Sequence, residues 1–250
     1  MAGRMRNPLA GAFAKYRLEG TVTDTGSVTP TMRRIRLATD EPIGFTYVPG
    51  QHVRVQINDP LSVSGLLRPS ETLRTYTIWE LAPEERAIEL WVHLHDGDGI
   101  GLRWARTVAP GDRVTLWWPQ GDLFIRPAPF HLFVGEETAS VAFGPMLRAL
   151  EPSARVYGVL ESESPEHDVP IPGPHRLRRV HRHGAPAASS ATLLEAVAAL
   201  ELPGVDGAAY VAGEARTCQM IRNHLVRERG WNRRSIKVKP FWTPGKRGLH

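Results

Sequence analysis

Ile88-Glu89-Leu90-Trp91-Val92-His93-Leu94-His95 puts Ile88, Leu90, Val92 and Leu94 on one side of an extended chain and Glu89, Trp91, His93 and His95 on the other. A period of two over this length is the pattern of a strand with one buried face. Upstream, Val53-Arg54-Val55-Gln56-Ile57 repeats it. Downstream, Arg113-Val114-Thr115-Leu116-Trp117 follows the turn Ala109-Pro110-Gly111-Asp112. Short strands at this spacing, running from Tyr16 to Phe124, predict an antiparallel Greek-key β-barrel, whose closure removes unpaired edges. Residues 59–72 are expected to form a long exposed loop.

Beyond Pro127 the texture changes, and the chain divides into a barrel domain at 14–127 and a second domain at 128–250 with a C-terminal tail. His131-Leu132-Phe133-Val134 reads as a short apolar strand before Gly135-Glu136-Glu137-Thr138. Ala139, Phe143, Met146, Leu147 and Leu150 then recur at helical spacing, with Pro145 expected to kink that helix or mark its start. Residues 155–160 form another strand candidate, and Thr192-Leu193-Leu194-Glu195 has capping-box spacing. Ala209-Tyr210-Val211-Ala212 reads as a buried strand turning at Gly213. The helix carrying Cys218, Ile221 and Leu225 on one face stops at Gly230. Strands alternating with helices predict a Rossmann-like parallel α/β domain. Gly135 and Thr138 at one strand-to-helix turn, with Gly213 and Glu214 at another, are the expected nucleotide contacts of such a sheet.

The 250 residues, 42% hydrophobic and 23% charged, suit two ordinary globular domains. A single cysteine, Cys218, excludes an internal disulfide and a four-cysteine metal or iron–sulfur site within the chain. Any electron transfer therefore needs an organic cofactor. Cys218 itself falls on an apolar helix face and reads as core. The formal net charge of +5 comes from scattered arginines with no aromatic-interleaved basic run, which favours an anionic small ligand over nucleic acid. No signal-peptide core and no membrane-length apolar run is present, so a cytoplasmic location without a membrane span is expected. The pairs His93/His95 and His181/His183 lack the companions of a metal site, and no metal is expected. Hydrolase and kinase motifs are absent.

Arg74-Thr75-Tyr76-Thr77 places a phosphate-pairing guanidinium and a flat ring on one strand face, since residues 74 and 76 point the same way. His95-Asp96-Gly97-Asp98-Gly99-Ile100-Gly101-Leu102-Arg103-Trp104-Ala105 supplies glycines before a helix start, where backbone N–H groups can approach a diphosphate. It is not the dinucleotide fingerprint, because Leu102 stands where the third glycine would be. Each stretch alone also fits an ordinary barrel strand or a hairpin turn.

Together, and in this order, the two stretches resemble the siderophore-interacting protein family of flavin reductases. The likeness extends over Pro110-Gly111-Asp112, Gly135-Glu136-Glu137-Thr138-Ala139, His181-Arg182, Ala212-Gly213-Glu214-Ala215 and Phe241-Trp242. The resemblance implies FAD held by Arg74, Thr75, Tyr76, Thr77, His95, Gly99, Gly101, Leu102 and Trp104. Arg74 would pair with the diphosphate, Tyr76 would lie against the isoalloxazine, and Thr77 would reach its polar edge. It implies NADPH or NADH as donor at Gly135, Thr138, Gly213 and Glu214. Arg182, Arg216 and Arg222 are candidates for a 2′-phosphate by charge alone, and each reads equally well as an ordinary surface arginine. The implied substrate is a ferric siderophore, met by Arg54, Trp242, Lys246 and Arg247 and reduced so that iron leaves as Fe(II). The flavin carries the chemistry, so no catalytic side chain is expected, and the protein is expected to be a monomer. The sequence departs from the family pattern at Trp79 and Ile100, and two basic positions are replaced by Gln120 and Thr243. A general flavin or quinone oxidoreductase of the same fold, or a non-catalytic siderophore-binding protein, are the alternative readings.

Overall fold

The structure is a computed structural model that describes residues 17–58, 67, 72–203 and 207–246. Most of the loop expected at 59–72, the first residues of the expected barrel domain, and Arg247 lie outside the described residues. Six strands form the first unit: β1 (Arg17–Thr29), β2 (Met32–Thr39), β3 (His52–Gln56), β4 (Leu73–Ala82), β5 (Ala87–His93) and β6 (Arg113–Gln120). They close into a barrel in the order β1-β2-β5-β4-β3-β6, every neighbouring pair antiparallel. Placing β5 between β2 and β4 makes the connection a Greek key.

The alternation in the sequence is what fills this barrel. Ile88, Leu90 and Val92 point inward with Ile35, Val55 and Leu116, all buried. Glu89, on the other face of β5, is buried as well. It accepts the indole N–H of Trp91 at 2.7 Å and lies 3.9 and 3.6 Å from the guanidinium groups of Arg34 and Arg36. Helix α1 (Ile100–Thr107) packs Ala105 into the barrel core. Its C-terminal carbonyls are held by Arg33, which donates to Ala105 and Val108 at 2.8 Å each, a cation where the helix dipole is negative.

The second unit comprises β7 (His131–Gly135), α2 (Glu137–Arg148), β8 (Val156–Ser162), β9 (Arg178–His181), α3 (Ala191–Ala198), β10 (Ala208–Glu214), α4 (Ala215–Arg227) and β11 (Ile236–Trp242). Its strands are all parallel and ordered β11-β10-β7-β8-β9. The order reverses between β7 and β10. Loops leaving their carboxyl ends diverge, which opens a crevice at that edge.

Several local expectations need correction. Helix α2 starts at Glu137 and continues through Pro145 in its last turn. Complete burial of Phe143, Met146 and Leu147 overrides the local cost of a proline there. Helix α3 is capped by Ser190, whose hydroxyl accepts from Leu193 N at 3.0 Å, so Thr192 lies inside the helix rather than at its cap. Gly230, with φ of +70°, does end α4, and Trp231 N closes back on Leu225 O at 2.9 Å.

Trp79 is a joint between the two units. It sits at a register shift in β4, stacks on Trp91 with ring centroids 3.5 Å apart, and fills the space left by Gly144 of α2. Arg148 lies 4.7 Å over its ring and donates to its carbonyl at 2.5 Å. The departure from the family pattern at position 79 thus serves the seam between barrel and sheet.

Candidate active site

Strand β4 presents its signature residues on two faces. Arg74 and Tyr76 pair with Val55 and Val53 of β3 and so share their inward-facing side, whereas Thr75 and Thr77 pair with the outward-facing Arg54 and His52. The Tyr76 hydroxyl donates to Gly101 O at 2.8 Å, and its ring lies tilted 5.3 Å from that of Trp104. Burial drives its phenol well above the ordinary range. A Cβ at Gly101 would fall 2.6 Å from Cγ of Arg74 and 2.7 Å from the Tyr76 hydroxyl. Arg74, Tyr76 and the glycine turn therefore meet at one point, and only glycine leaves room for them.

Beside this point the N-terminus of α1 is open. Its cap residue Gly99 has no side chain to accept a hydrogen bond, its first turn has no acidic residue, and among the described residues a Cβ at Gly99 would meet nothing within 4 Å. The other described α-helices are closed by their own side chains. Glu136 accepts from Thr138 N at 2.8 Å, Ser190 from Leu193 N, and Glu214 from Thr217 N at 2.8 Å. Only α1, among the described α-helices, lacks a side-chain cap from its N-cap residue. Amides without a capping side chain, beside an arginine whose stem packs on Gly101 and whose Nη1 donates to Leu73 O at 2.7 Å, are donor types that a diphosphate requires, so these residues fit FAD. Leu102 is buried behind the turn. His95 closes it locally, with Nδ1 donating to Asp96 O at 2.8 Å and its own carbonyl accepting from Arg106 at 2.7 Å. Ile100 is the first residue of α1.

The crevice at the carboxyl ends of β7 and β10 brings together Gly135, Thr138, Gly213 and Glu214, with Gly135 paired to Ala212. Buried carboxylates dominate its floor: Glu136, Glu137, Glu161 and Glu214 are all nearly inaccessible. Arg182 answers part of this charge. It donates to Glu137 at 2.8 and 2.6 Å and lies 3.8 Å from Glu161 and 3.2 Å from Glu163. Burial acts to raise the Glu137 pKa, yet the hydrogen bonds and charge of Arg182 hold it below the usual carboxylate range. Glu136 has no such partner, and burial, followed by repulsion from Glu137, pushes it up to about 7. Arg182 is therefore committed to carboxylates, which corrects its candidacy for a 2′-phosphate. Arg216 is exposed in the first turn of α4.

A third group lies on the barrel's outer face. Arg54 is exposed on β3, and His52, two residues earlier, pairs with Thr77 on one side and Gln120 on the other. The His52 pKa is lowered to about 4 by burial, then by the cations Lys239 and Arg54. Lys239 comes from β11, where it lies 3.6 Å from Asp122, to which Lys237 is also bonded. Of the substrate residues expected from the sequence, Lys246 is exposed in the turn after β11. Trp242 is tied to the crevice through its indole N–H, which donates to Glu136 at 3.0 Å. Sequence reasoning missed Lys239, His52 and Glu136. The alternation Lys237-Val238-Lys239 was the available signal for the first of these.

Among the described residues, no group of three or more His, Cys, Asp or Glu could hold a metal ion.

Comparison with known proteins agrees with this geometry. The chain is 26% identical to the mycobactin import ATP-binding/permease protein IrtA of Mycolicibacterium smegmatis over 98% of its own length, but it spans only 28% of that protein. It is 26% identical to the ferric vibriobactin reductase ViuB of Vibrio cholerae, covering 88% of this chain and 86% of ViuB. The crystal structure of a siderophore utilization protein from T. fusca superposes with a TM-score of 0.80 at 25% identity, over 94% of this chain and 95% of that one. Residues 21–123 match the siderophore-interacting FAD-binding domain and residues 128–245 the siderophore-interacting protein domain that follows it, so the chain belongs to the siderophore-interacting protein family.

Proposed function

We propose that this protein is an FAD-dependent ferric-siderophore reductase that takes electrons from NADPH or NADH and releases iron as Fe(II), acting as a monomer in the cytoplasm. The observation that carries the reading is the open N-terminus of α1 against Arg74 and Tyr76, a diphosphate cradle on a barrel that matches an FAD-binding domain. Bound FAD supplies the conversion between a two-electron hydride donor and a one-electron ferric acceptor. The chain's own residues bind and orient. Arg74 and the first amides of α1 would hold the diphosphate, Tyr76 would brace that turn through its hydrogen bond to Gly101, and Thr77 would reach the flavin's polar edge. The floor of the crevice is rich in carboxylates and its helix amides are already capped, so it complements the carboxamide and ribose hydroxyls of the donor rather than its diphosphate. Arg54 and Lys239 give the outer face a positive rim that favours an anionic ferric siderophore. The resemblance to ViuB supports a ferric acceptor. No described helix is long and apolar enough to cross a membrane.

The test is the visible spectrum of the FAD-loaded protein under argon, before and after NADPH or NADH and then a ferric siderophore, with ferrozine to trap Fe(II). Flavin bleaching by the donor and reoxidation with stoichiometric Fe(II) are expected. A protein that takes up no FAD loses the whole reading. One that reduces quinones or free flavin and leaves ferric siderophores untouched belongs with the general oxidoreductases of this fold.

A further inference from the structure

The seam between the two units holds a cavity of about 290 Å³, at the small end of the range for ligand pockets. Pro49 and Leu81 of the barrel and Pro145 of α2 give it apolar walls. Tyr47 lines it too. Its hydroxyl donates to Ile78 O at 3.0 Å, and burial pushes its pKa up to about 12, so the phenol is neutral at physiological pH. Two charged residues share this space, Glu80 from β4 and Arg148 from the end of α2. The register of β4 shifts between Ile78 and Glu80, an irregularity of the kind that re-aims side chains beside binding sites. Arg148 is fixed from behind. Its guanidinium lies 4.7 Å over the Trp79 ring, and Nη2 donates to the Trp79 carbonyl at 2.5 Å, which leaves its other N–H groups without an acceptor among the described residues. Glu80 and Arg148 are both exposed and opposite in charge, yet neither forms an ion pair among the described residues.

We propose that this cavity binds a free apolar α-amino acid, with its carboxylate on Arg148, its ammonium on Glu80 and its side chain against Pro49, Leu81 and Pro145. A guanidinium held in place without a carboxylate calls for an anion, and a carboxylate without a cation calls for a cation. One zwitterion answers both and brings no net charge to the site. Because the barrel supplies the acid and α2 the base, a bound amino acid bridges the seam. The site is separate from the flavin cradle. Glu80 stands six residues along β4 from Arg74, roughly 20 Å away at the rise of a strand, and the cavity is too small for a dinucleotide. It is also particular to this chain, since the platform beneath Arg148 is Trp79, a position at which the sequence departs from the family pattern. The proposal stands whether or not the protein is a reductase.

The test is titration of the full chain, with and without FAD, against L-phenylalanine, L-leucine and L-methionine, followed by calorimetry and ligand-observed NMR. At least one should bind with a dissociation constant on the order of 0.1–1 mM, as suits so small a ligand. The same molecule stripped of its carboxylate, phenethylamine in the case of phenylalanine, should bind roughly 10-fold or more weakly, and so should 3-phenylpropionate, which lacks the ammonium. Glu80→Gln and Arg148→Met should each weaken the amino acid by roughly 10-fold or more. Ala149→Trp, which fills the cavity and leaves both charges in place, should abolish binding. Glu80 is exposed, so Glu80→Gln spares the fold, and it decides with Ala149→Trp should Arg148→Met, which also loses the contact with Trp79, fail to fold. Absence of binding by all three amino acids at about 10 mM overturns the proposal. Binding that survives Glu80→Gln or Ala149→Trp at full strength places the amino acid elsewhere and overturns it as well. If the stripped amine or acid binds as tightly as its parent, one of the two charges is idle and the zwitterion is refuted.

Discussion

Replacing Gly101 by alanine separates the cost of crowding the cradle from the cost of losing its ligand. The added methyl would stand 2.6 Å from Cγ of Arg74 and 2.7 Å from the Tyr76 hydroxyl, which is itself fixed to Gly101 O at 2.8 Å. Ordinary contact between such atoms needs about 3.4–4 Å, so Arg74 or the start of α1 must move by roughly an ångström. Overpacking of this kind costs about 1–3 kcal/mol, and the better helix propensity of alanine returns up to about 1 kcal/mol. Net destabilisation should be no more than about 3 kcal/mol in urea melts of the apoprotein. Displacing Arg74 also removes charge-assisted hydrogen bonds to the diphosphate, each worth about 1.5–3 kcal/mol, so FAD affinity should fall roughly 10- to 150-fold. Gly99→Ala is the partner experiment. Among the described residues no atom lies within 4 Å of its new methyl, and its φ of −55° suits alanine, so stability should stay within about 0.5 kcal/mol. FAD affinity should nonetheless drop by roughly 10-fold, because the methyl enters the space assigned to the diphosphate. Flavin fluorescence quenching on titration of the apoproteins measures both. If Gly99→Ala takes up FAD as tightly as the wild type, the open end of α1 is not the cradle. If Gly101→Ala does so while folded, Arg74 is not its cation.

Arg182→Met should cost about 3–5 kcal/mol in urea melts, since it strands the buried carboxylates of Glu137 and Glu161 without a cation, and part of the loss should return in acid as they protonate. A loss under about 1 kcal/mol would mean that the cluster is solvated. Gly144→Ala should lower stability by about 1–3 kcal/mol by driving a methyl into the Trp79 ring, with FAD affinity unchanged because Trp79 belongs to the seam. Weakened FAD binding in a folded Gly144→Ala protein would tie Trp79 to the flavin site. The His52 and His93 pKa values are both lowered to about 4, chiefly by burial, so the unfolded chain takes up these protons near pH 6.5 and the folded chain does not. Stability from these groups is complete above about pH 6.5 and declines as pH falls towards 4, and His93→Gln should flatten that slope in melts across the range. Glu136 runs the other way. Its folded carboxyl keeps a proton up to about pH 7 that the unfolded chain loses near 4.5, so its contribution declines as pH rises through this window. Glu136→Gln should therefore steepen the acid-side slope.

The barrel was legible because its strands alternate and its core is local to that alternation: Ile88, Leu90 and Val92 announce an inward face without knowledge of their neighbours. β9 and β11 were not legible. They are edge strands of a parallel sheet, built from Arg178-Arg179-Val180-His181 and from a run containing Lys237, Lys239 and Pro240, so they carry little of the apolar signal that marks β7 and β10. Missing β11 hid Lys239, and it also hid the partner of Glu136. Likewise, the faces of β4 followed from its period of two, but the closure of Tyr76 on Gly101 did not, because it depends on α1 folding back across the barrel's end.

The clearest limit lies in Gly135-Glu136-Glu137-Thr138, where adjacent and chemically identical side chains meet opposite fates. β7 lies at the centre of the sheet, so consecutive residues leaving its end diverge to opposite sides. Glu137 reaches towards β8 and β9, accepting from Glu163 N at 2.9 Å and from Arg182, 45 residues away in sequence. Glu136 reaches towards β10 and β11, under Gly213 and on to Trp242, 106 residues away. One side of the sheet supplies a guanidinium and the other an indole N–H. A guanidinium neutralises a buried carboxylate, whereas an indole donates a hydrogen bond without cancelling its charge, so Glu137 stays ionised and Glu136 titrates near neutrality. The difference between a structural ion pair and a group that titrates near neutrality at the crevice between β7 and β10 is thus set by strand order.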